Sequence, residues 1–208
     1  MAGTFPTAGF TAMELKTNTK SRLTESVSGQ TQRIKSGAQF WSFKLKSPPL
    51  DRTEFNTIYS FIVQQDGQVE SFTVVPPVIS STTGTMTGTI TTADVTSTDP
   101  LMSPAAGSTN VAITDDGTPS GTLKKGDLIK FSNHNKVYML TADLTLANDS
   151  AVKQMSFYPP LVTSLTAGTD TVTYNNVPFT VFFNSDQISY ELLADGLYRY
   201  EIDVREEL

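Results

Sequence analysis

Apolar and polar residues alternate along several short stretches of the chain, and this period of two predicts β-strands. In Phe40–Lys46, the side chains of Trp41, Phe43 and Leu45 share one face, while a serine and two lysines occupy the other. A second alternating stretch, Leu197–Val204, places apolar and aromatic residues on one face and charged residues on the other. Both patterns are typical of strands that cover a core on one side and meet water on the other.

One stretch has helical periodicity instead. Four apolar residues recur at spacings of three and four after Glu54, which predicts an apolar stripe along a helix. Asp51 lies three residues before Glu54, as in a capping box, and Gly67 supplies a stop signal. The sequence therefore predicts one α-helix over about residues 51–66.

Further short apolar stretches are separated by turn-forming residues, which predicts a mainly β protein with a small barrel or sandwich module in its second half. Residues 79–99 are mostly Ser, Thr and Gly, and they fit either a pair of Thr-rich edge strands or a long loop. The other predicted strands cover residues 32–35, 69–75, 110–114, 128–131, 136–141, 152–157, 170–174, 179–183 and 187–192.

Composition and charge narrow the function classes. Only 17% of the 208 residues are charged, and the net charge of −6 falls entirely in residues 101–208. An acidic second half argues against nucleic acid as a main partner, because phosphate contacts need clustered Lys and Arg. The chain has no cysteine, which excludes disulfides and thiol catalysis. No apolar run approaches 18 residues, so we expect no membrane span, and residues 1–20 lack the apolar segment of a secretory signal.

Candidate catalytic chemistry is sparse. His134 is the only histidine, and it lies between two asparagines in a predicted turn, where we expect a structural role. The acidic pair at residues 115–116 predicts a turn, with a calcium site as the alternative. We interpret Glu206-Glu207 as part of a solvated C-terminal tail. We expect no catalytic, cofactor or metal residues and no enzyme, with a hydrolase that uses a carboxylate dyad as the alternative.

The order of the motifs carries a family resemblance. The strand at 40–45 runs into Pro-Pro-Leu-Asp-Arg, and the helix and a second strand follow. Later come the segment Gly126–Tyr138 and a closing strand that ends in Arg205-Glu206. In this order the chain resembles tail structural proteins of tailed bacteriophages, in particular the distal-tail-like and tail-tip proteins of siphophages.

The resemblance implies a split β-barrel or sandwich with one helix, plus an inserted small β-module. Residues 31–100 and 177–208 would then form the ring-forming β core, and residues 101–176 the inserted module. We expect residues 1–30 to be an N-terminal arm that becomes ordered on assembly. The resemblance brings no catalytic residue with it.

The function implied is that of a structural virion protein in the phage tail, made in the host cytoplasm. It would form a homo-oligomeric ring, a hexamer by preference, that joins the tail tube to tip or baseplate proteins. DNA would pass the lumen without specific binding. The alternatives are another tail, tube or head–tail connecting component, and a carbohydrate- or receptor-binding virion module that uses residues 101–176.

Aromatic residues on the two alternating strands are the candidate contacts with subunits or partners. They are Phe40, Trp41, Phe43, Tyr198 and Tyr200. Their alternation with polar residues along the strand is also typical of a strand that lines a core. Burial in the core is therefore favoured over stacking of exposed aromatic rings on sugars.

Overall fold

The computed structural model describes residues 3–6, 10–93, 104–114, 119–148 and 151–208. It is mainly β with one helix, α1 (Arg52–Gln64), as the sequence predicts. The strands are β1 (Ala12–Asn18), β2 (Ser21–Glu25), β3 (Thr31–Lys35), β4 (Phe40–Lys46), β5 (Phe72–Val74), β6 (Ile90–Thr91), β7 (Asn110–Thr114), β8 (Gly121–Leu123), β9 (Leu128–Phe131), β10 (Val137–Leu140), β11 (Leu144–Leu146), β12 (Val152–Tyr158), β13 (Thr171–Thr173), β14 (Phe179–Phe183), β15 (Tyr190–Leu192) and β16 (Tyr198–Glu206).

Two compact units divide the chain. The first combines residues 1–72 with residues 181–207, and the second covers residues 73–180. The sequence places the first boundary later, between residues 100 and 101, and the second boundary slightly earlier, between residues 176 and 177. Residues 73–93 belong to the second unit because Met86 and Ile90 are buried in its core.

The first unit is built on antiparallel strands in the order β1-β4-β16-β14, and β15 pairs with the start of β16. Phe43 lies opposite Val204, and Leu45 lies opposite Ile202. These four side chains are buried, so the alternation in the sequence marks the core face of the sheet. β1 falls within the predicted arm and pairs with β4 along seven residues. Ordering of residues 1–30 on assembly stays a prediction.

Helix α1 begins where the sequence predicts it. The carboxylate of Asp51 accepts hydrogen bonds from the backbone N–H groups of Thr53 and Glu54, at 2.7 and 2.8 Å. The Glu54 carboxylate accepts one in return from the backbone N–H of Asp51, at 3.3 Å, which completes the capping box. After the helix, Asp66 and Gly67 both adopt positive φ angles, of 52° and 66°, which turn the chain back.

Aromatic rings fill the core of the first unit. The ring of Phe72 lies 5.5 Å from that of Phe61 on the helix and 4.8 Å from that of Phe183 on β14. Phe5 adds a third contact, 5.9 Å from Phe72. The helix therefore packs on the aromatic inner face of the sheet.

The second unit is a small barrel. Its main sheet has the order β6-β13-β9-β10-β12-β7, and β8 pairs with β11 beside it. A bridge between Thr92, just after β6, and Ile113 on β7 links the two edge strands. The sheet therefore closes on itself around an apolar core, which agrees with the barrel or sandwich module that the strand spacing predicts.

The Thr-rich stretch of the second unit combines the two alternatives. Residues 79–89 are largely turns, and only Ile90–Thr91 forms a strand, while Thr87 makes one bridge with Ser120. The remaining residues of this stretch, 94–99, lie outside the described part of the chain. Two short strands, β8 and β11, were not predicted, because three residues are too few to show a period.

Candidate interaction surface

The hairpin formed by β2 and β3 has no core of its own. The two strands pair from Ser21–Lys35 to Glu25–Thr31 and make up a separate two-stranded sheet. All ten of their residues are exposed. A two-stranded hairpin is marginal in water by itself, so this basic hairpin (residues 20–35) is a segment that gains from a partner.

The exposed side chains of the basic hairpin include large apolar residues and positively charged residues. Leu23 is 66% exposed and lies opposite Arg33, and Ile34 is 61% exposed and lies opposite Arg22. Paired residues share a face of a sheet, so each face carries one large apolar residue beside an arginine. Residues 20–35 hold four basic residues and one acidic residue, a net charge of +3 in a chain whose net charge is −6.

A groove runs along helix α1 in the same unit. The segment after β14 follows the helix, and its Asp186 accepts a hydrogen bond from the backbone N–H of Gln68 at 3.2 Å. Further along, the ring of Tyr190 packs 4.9 Å from Phe55 and 5.3 Å from Tyr59. The groove has a volume of about 210 Å³, and its lining residues are Tyr59, Ile62, Val63, Asp66, Gly67, Asp186 and Ile188.

Two of the residues that line this groove are acidic, Asp66 and Asp186, and the segments that form it are acidic as a whole. Residues 51–66 and 184–197 together hold six acidic residues and one basic residue, and all six carboxylates belong to exposed residues. Large apolar residues are exposed among them: Val63 is 63% exposed, Leu192 60% and Tyr190 49%. We call this surface, residues 51–66 with residues 184–197, the acidic groove.

The basic hairpin and the acidic groove lie at opposite ends of the first unit's sheet. β4 begins at Phe40, soon after the hairpin, and ends at Lys46, which pairs with Glu201. The groove lies toward that second end: Leu50 bridges to Tyr198 and leads into the helix, and Asp186 and Ile188 continue past β14 in the direction of the start of β16. Seven strand residues separate the two ends by about 20 Å.

Three of the five predicted contact residues are buried in this chain. Trp41, Phe43 and Tyr200 are 6%, 1% and 2% exposed, and burial raises the pKa of the Tyr200 hydroxyl to about 12. Phe40 and Tyr198 are partly exposed. The Arg205 guanidinium lies 4.0 Å from the ring centre of Phe40, while Tyr198 stacks on Phe55 at 4.5 Å beside the groove. Their contact role stays a prediction, and these two offer a neighbour the most surface.

The outer face of the same sheet is charged but internally paired. The Glu201 carboxylate pairs with Lys44 and, at 2.9 Å, with Lys46. Hydrogen bonds from these two lysines lower the pKa of Glu201, and the bond with Glu201 raises the pKa of Lys44. Such cross-strand pairs suit a face that meets water.

Glu206 differs from its prediction as part of a solvated tail. It is 1% exposed, and its carboxylate accepts a hydrogen bond from the backbone N–H of Trp41 at 3.0 Å. The reason is that β16 continues to Glu206, so strand alternation places this residue on the inner face with Val204.

Ionisable side chains of the second unit form hydrogen bonds that fix the loops between its strands. His134 makes a hydrogen bond of 2.7 Å between its Nε2 and the Tyr138 hydroxyl, and burial lowers its pKa. Burial raises the pKa of Asp127, but hydrogen bonds from Thr82, Thr83 and Lys124 outweigh it, so the net pKa lies below its ordinary value. These side chains are engaged in structural hydrogen bonds.

In the part of the chain that the structure describes, no group of three or more His, Cys, Asp or Glu side chains could hold a metal ion. The acidic turn proposed as a calcium alternative, residues 115–117, lies outside the described residues. Within the described ranges, no helix has the length and apolar character needed to cross a membrane.

Sequence reasoning missed the basic hairpin as a functional element. The signal was present in the stretches Arg22-Leu23 and Arg33-Ile34, where isolated apolar residues stand beside arginines on either side of the turn around Gly29. The sequence predicts a strand over residues 32–35 but not its partner β2, so the hairpin is identified by the pairing of the two strands.

Two comparisons with known proteins agree with this architecture. Residues 86–177 match the family model described as distal tail protein pb9, B domain, a range that falls within the second unit. Over 206 residues the chain is 25% identical to distal tail protein pb9 of Escherichia phage T5, and the match covers 98% of this chain and 95% of that protein. Both comparisons therefore confirm the resemblance to distal tail proteins of tailed bacteriophages that the order of the motifs indicates.

Proposed function

We propose that this chain forms a homo-oligomeric ring, with six copies, at the distal end of a phage tail, and that the ring joins the tail tube to tip proteins. The observation that carries the proposal is the match to a distal tail protein over nearly the whole of both chains, so both units have counterparts there. The protein acts in the virion, after synthesis in the host cytoplasm.

The surface of the first unit supports a structural role. A ring subunit needs surfaces that can meet neighbouring copies, and the first unit displays a hairpin that lacks a core together with a groove of opposite charge. The net charge of −6 fits a lumen through which DNA slides without sticking, because like charges repel the phosphates.

Native mass spectrometry across a concentration series tests the ring. We expect a discrete oligomer, and six copies of 22.6 kDa give about 136 kDa. A chain that stays at 22.6 kDa at every concentration contradicts the ring.

Antibody labelling of virions tests the position in the tail. A distal ring places the label at one end only, whereas a tube component is labelled along the whole tail. Label at the head–tail junction would identify a connecting protein instead.

A further inference from the structure

We propose that the basic hairpin of one copy docks into the acidic groove of a second copy of this chain. The inference rests on the proposed ring and names the contact that would build it. The hairpin is residues 20–35, and the groove is formed by residues 51–66 and 184–197.

Charge complementarity selects the groove as the partner surface. The hairpin has a net charge of +3, and the two segments that form the groove have a net charge of −5. Opposite charges on two docking surfaces steer their encounter and fix their register. The outer face of the sheet is a poorer partner, because its Glu201 is already paired with Lys44 and Lys46.

Apolar contacts supply the second component. Leu23 and Ile34 stand exposed on opposite faces of the hairpin, so either one can face Val63, which stands exposed beside the groove, whose lining also includes Tyr59 and Ile62. Large apolar side chains exposed on both surfaces lose water contact when they meet, which favours association. Each of these two hairpin residues has an arginine opposite it, and in the docked pair that arginine would face the carboxylates of the groove.

Geometry requires the partner to be a different copy. The hairpin and the groove lie at opposite ends of the β4–β16 sheet, so a rigid unit cannot bring its own hairpin into its own groove. A contact between two different surfaces of identical chains is heterologous, and repetition of it generates a ring when the rotation closes. In a closed ring, each subunit would give its hairpin to one neighbour and its groove to the other.

Charge reversal tests the contact. Arg22→Glu with Arg33→Glu should weaken assembly roughly tenfold or more, and Asp66→Lys with Glu191→Lys should do the same. The chain that carries all four substitutions should assemble again, because the reversed hairpin meets a reversed groove. Native mass spectrometry and sedimentation over a concentration series give the readout.

A matched control separates this contact from general charge effects. Lys124→Glu with Lys125→Glu changes the net charge by the same amount as the hairpin variant, on exposed residues of the second unit. This control should assemble like the wild type. Circular dichroism melts of every variant exclude unfolding as the cause of a lost oligomer.

Engineered thiols provide a second readout. The chain has no cysteine, so Ile34→Cys in one preparation and Val63→Cys in another introduce the only thiols. When the two are mixed under mild oxidation, we expect the mixed disulfide dimer to exceed either symmetric dimer. Val152→Cys, 54% exposed on the second unit, is the control that should not crosslink with Ile34→Cys.

The possible outcomes distinguish the contact from the ring. A wild-type oligomer that the hairpin and groove variants leave intact overturns the contact and leaves the ring standing. A wild-type chain that is monomeric at every concentration overturns both. Binding of the hairpin to duplex DNA, abolished by Arg22→Glu with Arg33→Glu while assembly persists, also overturns the contact.

Discussion

The two units of this chain differ in how completely their side chains are buried or hydrogen-bonded within the same unit. The second unit closes its sheet into a barrel and engages its buried Asp127 and Asp170 in hydrogen bonds to nearby loops. The first unit covers one face of its sheet with a helix, yet it leaves the basic hairpin and the acidic groove facing outward. The comparison indicates that the second unit satisfies its buried polar groups internally, while the first leaves apolar and charged surface exposed, which under our proposal serves assembly.

The second unit draws its stability from close packing around Phe131. The ring of this residue is fully buried and lies 5.5 Å from the rings of both Tyr138 and Phe157. The first unit has a comparable cluster around Phe72, but the ten residues of the hairpin strands contribute no buried side chain. Substitutions of equal size should therefore act on stability in one region and on assembly in the other.

The largest expected effect is that of Phe131→Ala. Loss of a buried phenylalanine removes apolar contacts and leaves a cavity, which typically costs about 3–5 kcal/mol of unfolding free energy. Guanidinium denaturation followed by circular dichroism measures the change. A loss below about 1 kcal/mol would mean that the barrel core relaxes around the cavity.

Asp127→Asn should have the next largest effect. The Asp127 carboxylate accepts hydrogen bonds from the backbone N–H groups of Thr83 and Lys124, at 2.9 and 2.8 Å, and from the Thr82 and Thr83 hydroxyls. An amide cannot accept at its nitrogen, and an unmatched buried polar group costs about 1–3 kcal/mol. Urea denaturation at neutral pH measures the loss.

The pH dependence of stability tests the same residue. Asp127 has a lowered pKa in the folded state, so its contribution is present above the unfolded-state pKa of about 3.9 and disappears as the pH falls through the folded-state pKa. Wild-type stability should therefore fall more steeply below about pH 4 than that of Asp127→Asn. Parallel slopes for the two proteins would contradict the assigned pKa shift.

Asp51→Ala should cost less. It removes the side-chain acceptor for the backbone N–H groups of Thr53 and Glu54 at the start of α1, which typically costs about 1 kcal/mol. Asp51→Asn keeps a capping oxygen and serves as the matched control, with a loss of only a few tenths of a kcal/mol expected. Thermal melts by circular dichroism compare the two variants.

The smallest effect on stability, and the sharpest test of the comparison, is that of Leu23→Ser with Ile34→Ser. Both side chains are exposed, so the unfolding free energy of the monomer should stay within about 0.5 kcal/mol of the wild-type value. Assembly measured by sedimentation should nevertheless weaken. A large loss of monomer stability with assembly unchanged would show that the hairpin serves its own subunit.

Local pattern predicted much of the fold. Four strands, β4, β7, β9 and β14, have the bounds that the sequence predicts, and the capping box at Asp51 forms as expected. Strand alternation and helix capping depend on neighbours within a few residues, so they can be read along the chain. The distal-tail resemblance also came from the order of such local motifs, and it agrees with the comparisons.

Features that depend on distant residues were missed or differ. Glu206 is buried on the inner face of β16, where its carboxylate accepts a hydrogen bond from the backbone N–H of Trp41, 165 residues earlier in the chain. The division between the units falls at residues 72 and 180 because Met86 and Ile90 pack with strands that follow later in the chain. Met86 and Ile90 lie in a polar, glycine-containing stretch, whose sequence gives no local sign that they pack against later strands.

The sequence by itself determined the mainly β class, the single helix with its cap, and the lack of any recognisable catalytic motif. Each of these follows from residue type and short-range spacing. Only the tertiary structure decided which apolar and charged residues remain outside, and so revealed a basic hairpin and an acidic groove at opposite ends of one sheet. Exposure is the outcome of what packs against a residue, and that is settled by contacts across the whole chain.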